Sequence, residues 1–180
     1  MALSNDNIIN YIKCKKVIIK PFEQEMLTSN GVDLRIGSKI ARLISTDSDS
    51  KTFDTKRENL IEKWYRIYHV NNSFIVYPHE RILCHTLEYL KLPNNIIGFC
   101  QLRSTFARLG LSMPSTVVDA GFEGELVIEL IGSVFPIKLY FKQRLIHITF
   151  FELIAPSSSP YKGKYQGQKG LTLPKLDEIQ

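Results

Sequence analysis

From residue 64 onward the chain breaks into short runs rich in β-branched and aromatic residues, and nothing else in it constrains the fold as tightly. The runs are WYRIYHV (64–70), SFIVYP (73–78), RILCHTLEYLKLP (81–93), IIGFCQL (96–102), ELVIELI (125–131), PIKLYF (136–141) and LIHITFFELI (145–154). Asn-Asn, Pro-His, Pro-Asn-Asn and Gly-Ser turns separate them. Strands joined by tight connections have this spacing, and βαβ units do not. The expectation is a mainly β fold, a barrel or jelly-roll-like arrangement. No internal repeat is present.

The preceding residues add a little helix. Ser4 is a reasonable N-cap for a helix running to Lys13, with Ile8, Ile9 and Ile12 on one face. Val17 to Ile19 reads as a buried strand stopped by Pro21, and Asn30-Gly31 as a turn. The next residues, Val32-Asp33-Leu34-Arg35-Ile36, alternate as a half-buried strand does, with Asp33 and Arg35 on one face. A structural ion pair is the expected use of those two charges, with a role at a site as the alternative. Residues 46–60 are polar and read as an exposed connection. Residues 155–170, rich in Pro, Ser, Gly and Lys, read as a tail that is either disordered or a lid.

Composition sets the class. At 180 residues, with 44% hydrophobic and 23% charged, the chain suits a single soluble domain spanning 1–180, residues 155–180 being its tail. No apolar run approaches the roughly 18 residues of a membrane span, and MALSNDNIIN lacks a secretory profile, so no membrane partner is expected. Cys14, Cys84 and Cys100 show no CxxC spacing, which suits buried thiols in a reducing cytoplasm. The net charge of +5 favours an anionic partner. Only Lys13, Lys15 and Lys16 are bunched, so a phosphate-bearing small molecule is expected rather than nucleic acid.

The chemistry concentrates in Gln101 to Leu130, QLRSTFARLGLSMPSTVVDAGFEGELVIEL. Charged groups inside apolar sequence cost free energy unless paired or used. Arg103 to Gly110 reads as a short helix after a strand, with Ser104 as N-cap and Gly110 as its stop. A helix start beside an arginine suits an anion; a capped surface helix with solvated arginines is the plainer alternative. Asp119, where a strand runs into a turn, suits an Asx bond or a grip on a sugar hydroxyl. Glu129 shares a strand face with Val127 and Ile131. If that face is enclosed, the carboxylate is desolvated and suited to proton transfer; if it is solvent, Glu129 is a surface acid. No H-x-E with a later P-C-x-x-C is present, so a zinc deaminase is not expected. His69, His79, His85 and His147 lack metal-cluster spacing, and GxSxG, Walker A and GxGxxG are missing.

RSTFARLGL, VVDAGFEGELVIEL and YKGKYQGQ, with LSNDNI and GVDLRIG, together resemble the dCTP deaminases of the dUTPase-like superfamily, particularly archaeal members. The likeness covers nearly the whole chain. It implies a distorted jelly-roll-like β-barrel with a short N-terminal helix and a flexible C-terminal lid, assembled as a homotrimer with shared active sites. It also implies hydrolysis of dCTP to dUTP and ammonia without a protein-bound metal, Mg²⁺ arriving on the triphosphate. By motif, Glu129 matches the catalytic glutamate, and Ser104 and Arg108 match the groups that position water and stabilise the tetrahedral intermediate. Arg103, Ser104 and Thr105 would hold phosphates, with Phe106 and Ala107 in the same segment. Asp119 matches the group on the 3′-hydroxyl, and Phe122 the aromatic on the sugar. Val127 and Ile128 would contact the base through their backbone. Tyr161, Lys164 and Gln168 match tail residues closing over the triphosphate.

This chain departs from the family pattern in three places. The span from Arg103 to Asp119 is short, leaving Ser115-Thr116-Val117 to replace a threonine-alanine segment. Asp-Ala-Gly stands where many members have Asp-Pro-Gly, and His147 where many have glutamine. Two rival readings accompany the resemblance, a dUTPase or bifunctional deaminase–diphosphatase and a non-catalytic nucleotide-binding regulator. Inhibition by dTTP is left open.

Overall fold

Ser4 opens the first helix, α1 (Asn5–Lys13), by accepting a hydrogen bond from the Asn7 N–H, and Ile8 anchors that helix in the core. The computed structural model describes residues 1–44, 53 and 61–176. The exposed connection expected over 46–60 lies outside these residues, apart from Phe53. Among the described residues the strands are β1 (Ile18–Lys20), β2 (Val32–Leu43), β3 (Tyr65–His69), β4 (Ser73–Val76), β5 (Arg81–Lys91), β6 (Ile96–Leu102), β7 (Thr116–Val118), β8 (Glu123–Ile131), β9 (Ile137–Tyr140) and β10 (Arg144–Glu152). Two short helices, α2 (Ile61–Trp64) and α3 (Ser104–Arg108), precede β3 and follow β6. The mainly β expectation holds.

The main sheet runs β1-β5-β2-β10-β6-β7, with β3 also on β2 and β8 also on β5; β4 and β9 form a separate pair. Every pairing is antiparallel. The sheet curls because its two long strands change partners along their length. β2 meets β10 through Val32 to Arg35 and β3 through Lys39 to Leu43. Register breaks between Ile36 and Ile40, and between His85 and Tyr89, mark where β2 and β5 bend. The core lies inside this curl and includes Leu34, Ile36, Leu90, Ile128, Leu130, Ile148 and Phe150.

Buried polar groups collect at the bends, where the ladder leaves backbone groups unpaired. Thr86 Oγ1 accepts the Leu126 N–H and donates to the Glu88 carbonyl. Glu88, fully buried, accepts from the Arg35 N–H and, at 2.6 Å, from Arg35 Nε. These side chains replace the missing ladder bonds. The ion pair expected between Asp33 and Arg35 is not formed. Arg35 pairs with Glu23 and Glu88, whereas Asp33 pairs with Arg103. Nor is the start of β2 half-buried, since Val32 to Gly37 are buried on both faces. Cys84 and Cys100 are buried as expected, but Cys14 is exposed at the end of α1.

Candidate active site

Arg103, not Ser104, occupies the N-cap position of α3, with extended backbone and no side-chain capping bond. Gly110 stops the helix as expected. Its φ of +85° allows a Schellman closure, in which Gly110 N–H reaches Ala107 O and Leu111 N–H reaches Phe106 O. Phe106 and Leu111 are both buried, so this closure nails α3 to the core. Ser104, Thr105, Ala107 and Arg108 are left exposed.

Arg103 itself turns back onto the sheet. Its Nε lies 2.8 Å from Asp33 Oδ2, and Asp33 Oδ1 lies 3.0 Å from His147 Nδ1. One nearly buried carboxylate thus holds a guanidinium and an imidazole side by side. Together with Thr28, Gln101, Ser104 and Thr105 these groups line a cavity of ≈ 380 Å³. The solvated-arginine alternative therefore fits Arg108 but not Arg103. Sequence reasoning missed Thr28 and Gln101 as wall residues and gave Asp33 a site role only as the alternative to an ion pair.

The strand-to-turn reading of residues 117–122 holds. The turn closes through the backbone, Phe122 N–H donating to Asp119 O, with Gly121 at φ +86°. The Asp119 carboxylate is exposed rather than spent on an Asx bond. The Phe122 ring is buried and packs on Tyr161 at 5.8 Å between centroids. From Tyr161 onward the tail lies along the sheet. Tyr161 N–H donates to Ala120 O, Gly167 N–H to Glu123 O, and Glu125 N–H to Gln168 O. Lys164, half-buried, stacks over Tyr165.

β8 carries the remaining predicted residues, and its register decides what each can do. Side chains at 126, 128 and 130 enter the core, while 125, 127, 129 and 131 face a half-buried surface. Glu125 and Ile131 point their backbone groups away from β5, to Gln168 and Ser112. By alternation Val127 and Glu129 point the same way, and no strand pairs there among the described residues. Ile128, in contrast, faces Cys84 of β5 with its backbone. It is thus Val127 and Glu129, not Val127 and Ile128, that offer unpaired donors and acceptors. A cavity of ≈ 230 Å³ opens on this face between Leu83 and Val127 of the sheet and Tyr165, Gln168, Thr172 and Pro174 of the tail.

The Glu129 carboxylate is 35% exposed and paired with Arg81. Tyr65 is close enough that burial, and then the Glu129 charge, push its phenol above the ordinary range. Neither Arg81 nor Tyr65 was foreseen. Within the chain the predicted residues form two separate groups, one around Arg103 and one along β8 and the tail. Among the described residues no hydrogen bond or ion pair links Glu129 to Ser104 or Arg108.

The family model described as dCTP deaminase-like matches residues 2–153. This chain belongs to the dCTP deaminase-like family. Among its relatives are a dCTP deaminase of Acidianus ambivalens, 46% identical over 98% of both chains, and one of Saccharolobus solfataricus, 44% identical over 98% of this chain and 93% of that one. A protein of Sulfolobus islandicus rod-shaped virus 1, named a probable deoxyuridine 5′-triphosphate nucleotidohydrolase, is likewise 46% identical, over 98% of this chain and all of its own. The fold is shared with the crystal structure of the 2′-deoxycytidine 5′-triphosphate deaminase from Agrobacterium tumefaciens, at a TM-score of 0.66 and 18% identity. That match covers 83% of this family member and about half (47%) of the longer chain.

Proposed function

We propose that this enzyme hydrolyses dCTP to dUTP and ammonia, with Glu129 as general acid and base. The observation that carries the reading is the unpaired edge of β8. Backbone N–H and C=O groups at Val127 and Glu129 face outward between the Gln168 and Ser112 contacts, beside a carboxylate and under the tail. A cytosine edge, itself a pattern of donors and acceptors, pairs with such backbone. Glu129 then takes a proton from the water that attacks the amino-bearing ring carbon. It returns protons to the departing amine, so that one water is consumed and one ammonia released.

Ser104 and Arg108 have no link to Glu129 within the chain, yet they stand exposed on a helix fixed by its own core contacts. In this reading they complete the site of a neighbouring copy in a homotrimer, orienting the water and stabilising the tetrahedral oxyanion. Arg103, Ser104 and Thr105 bind phosphates, Asp119 the 3′-hydroxyl, and Phe122 limits space at the sugar. Mg²⁺ would supply charge neutralisation on the triphosphate. Asp33 does not suit a direct ligand role, because both its oxygens are engaged by Arg103 and His147.

A second reading is favoured by the viral relative, whose name implies dUTP hydrolysis at equal identity. In it the enzyme, alone or after deamination, cleaves dUTP to dUMP and pyrophosphate, Asp119 directing water at the α-phosphate. One assay separates the two. With dCTP and Mg²⁺, equal amounts of ammonia and dUTP are expected. Pyrophosphate released from dUTP, with no ammonia from dCTP, overturns the first reading.

A further inference from the structure

His85 and Glu125 form a relay that the residues assigned above do not explain. The His85 ring is buried where β2 bends and lies against Gly37; a Cβ there would sit 2.2 Å from His85 Cε1. His85 Nε2 accepts the Lys39 backbone N–H at 3.3 Å, so Nδ1 carries the hydrogen and donates to Glu125 Oε2 at 3.0 Å. The same carboxylate oxygen accepts the Gly170 N–H from the tail at 2.7 Å. The Glu125 backbone is engaged as well, donating to Gln168 O at 2.9 Å and accepting from Gln168 Nε2 at 2.7 Å. Three of these bonds reach the tail at 168 and 170, just before Thr172 and Pro174 cross the cavity over Val127.

We propose that His85 and Glu125 are positioning residues that latch the tail as the roof of the cavity beside Glu129, and so set the affinity for the nucleoside triphosphate. The proposal rests on the nucleotide reading above. The polarity of the relay explains the residue types. Lys39 and Gly170 both donate, so the pair between them must accept at both ends, and a histidine followed by a carboxylate does this. A glutamine at 125 can still point its amide oxygen at both donors, because both reach the same oxygen, but that acceptor no longer carries charge.

The test uses the full chain. In Glu125→Gln the KM for dCTP is expected to rise roughly five-fold, the difference between hydrogen bonds to a charged and to a neutral acceptor, with kcat within about three-fold. Trypsin is expected to cut at the exposed Lys169 correspondingly faster, with little change in Tm. His85→Leu should behave alike, and His85→Asn, which keeps a donor for Glu125, should recover part of the affinity. Unchanged KM and unchanged cleavage in Glu125→Gln overturn the latch, as does a fall in kcat and Tm with KM unmoved. Proteolysis needs no turnover. Faster cutting in the variant, with no dCTP turnover by the wild type, upholds the latch and removes the deaminase reading instead.

Discussion

Nη1 of Arg81 lies 2.8 Å from Oε1 of Glu129, a diagonal contact between β5 and β8. Arg81 is 57% and Glu129 35% exposed, so solvent screens the pair and it contributes at most about 1 kcal/mol to stability. Arg81→Met is therefore expected to move Tm by no more than about 4 °C. Glu129→Gln should be as benign to the fold, and nucleotide binding should persist. Ammonia release should fall by at least about 10², the contribution of a positioned acid–base group. Unchanged ammonia release in that variant takes Glu129 out of the mechanism.

The Arg35–Glu88 pair lies at the opposite extreme. Burial pushes the Glu88 carboxyl above its ordinary value of 4.5, with Arg35 pulling it part of the way back. Between those two values the native state keeps a proton that the unfolded chain has released. Stability from this group is then full below 4.5 and declines as pH rises through the raised value. Arg35→Leu leaves the carboxylate uncompensated and is expected to cost about 3–5 kcal/mol at neutral pH. Urea unfolding from about pH 4 to about pH 7 should show that deficit shrinking toward acid, as Glu88 takes up its proton. A deficit independent of pH would assign the loss to packing rather than charge.

The thiols give a sharper contrast. Burial pushes Cys84 and Cys100 up to about 12, whereas Cys14 is exposed. A thiol reagent acts on the thiolate, so at mildly alkaline pH the native protein should react at Cys14 alone and the denatured protein at all three cysteines. Rapid native labelling of Cys84 would mean that β5 opens readily.

Most of the architecture was legible because its signals are local. Ser4, Gly110 and the turn at Asp119 to Phe122 each act within a few residues, and the strand runs carry their own period. The alternation along β8 put Glu129 on the face of Val127 and Ile131, as the structure does, but did not specify how enclosed that face is. What escaped depends on which strands become neighbours. The Val32 to Ile36 pattern gave no hint that Asp33 would find Arg103 and His147, because those partners arrive just after β6 and on β10. The availability of Val127 over Ile128 followed from the pairing with β5, which no spacing in β8 specifies. His85 offered nothing in sequence beyond its lack of metal-cluster spacing, and only the bend beside Gly37 and the docked tail reveal its bond to Glu125.

Asp33 supplies the last prediction. Its side chain is 4% exposed, and its two oxygens divide between Arg103 Nε at 2.8 Å and His147 Nδ1 at 3.0 Å. Arg103 also donates through Nη1 to the Arg144 carbonyl, so two acceptors on different strands fix its guanidinium at the cavity wall. Asp33→Asn keeps the volume and one acceptor oxygen, but its amide hydrogens must face either Arg103 or His147. Facing Arg103, those hydrogens meet another donor; facing His147, they need its Nδ1 bare as an acceptor; either way Arg103 loses its charge partner. On the phosphate-binding reading, KM for the triphosphate should rise roughly ten-fold, about the value of one charge-assisted hydrogen bond, while kcat changes little. Comparing dCTP with deoxycytidine locates the effect. If Arg103 serves the phosphates, the variant loses its preference for the triphosphate and binds the nucleoside as before. Equal losses for both ligands would move Asp33 and Arg103 out of phosphate recognition and into the general integrity of the sheet.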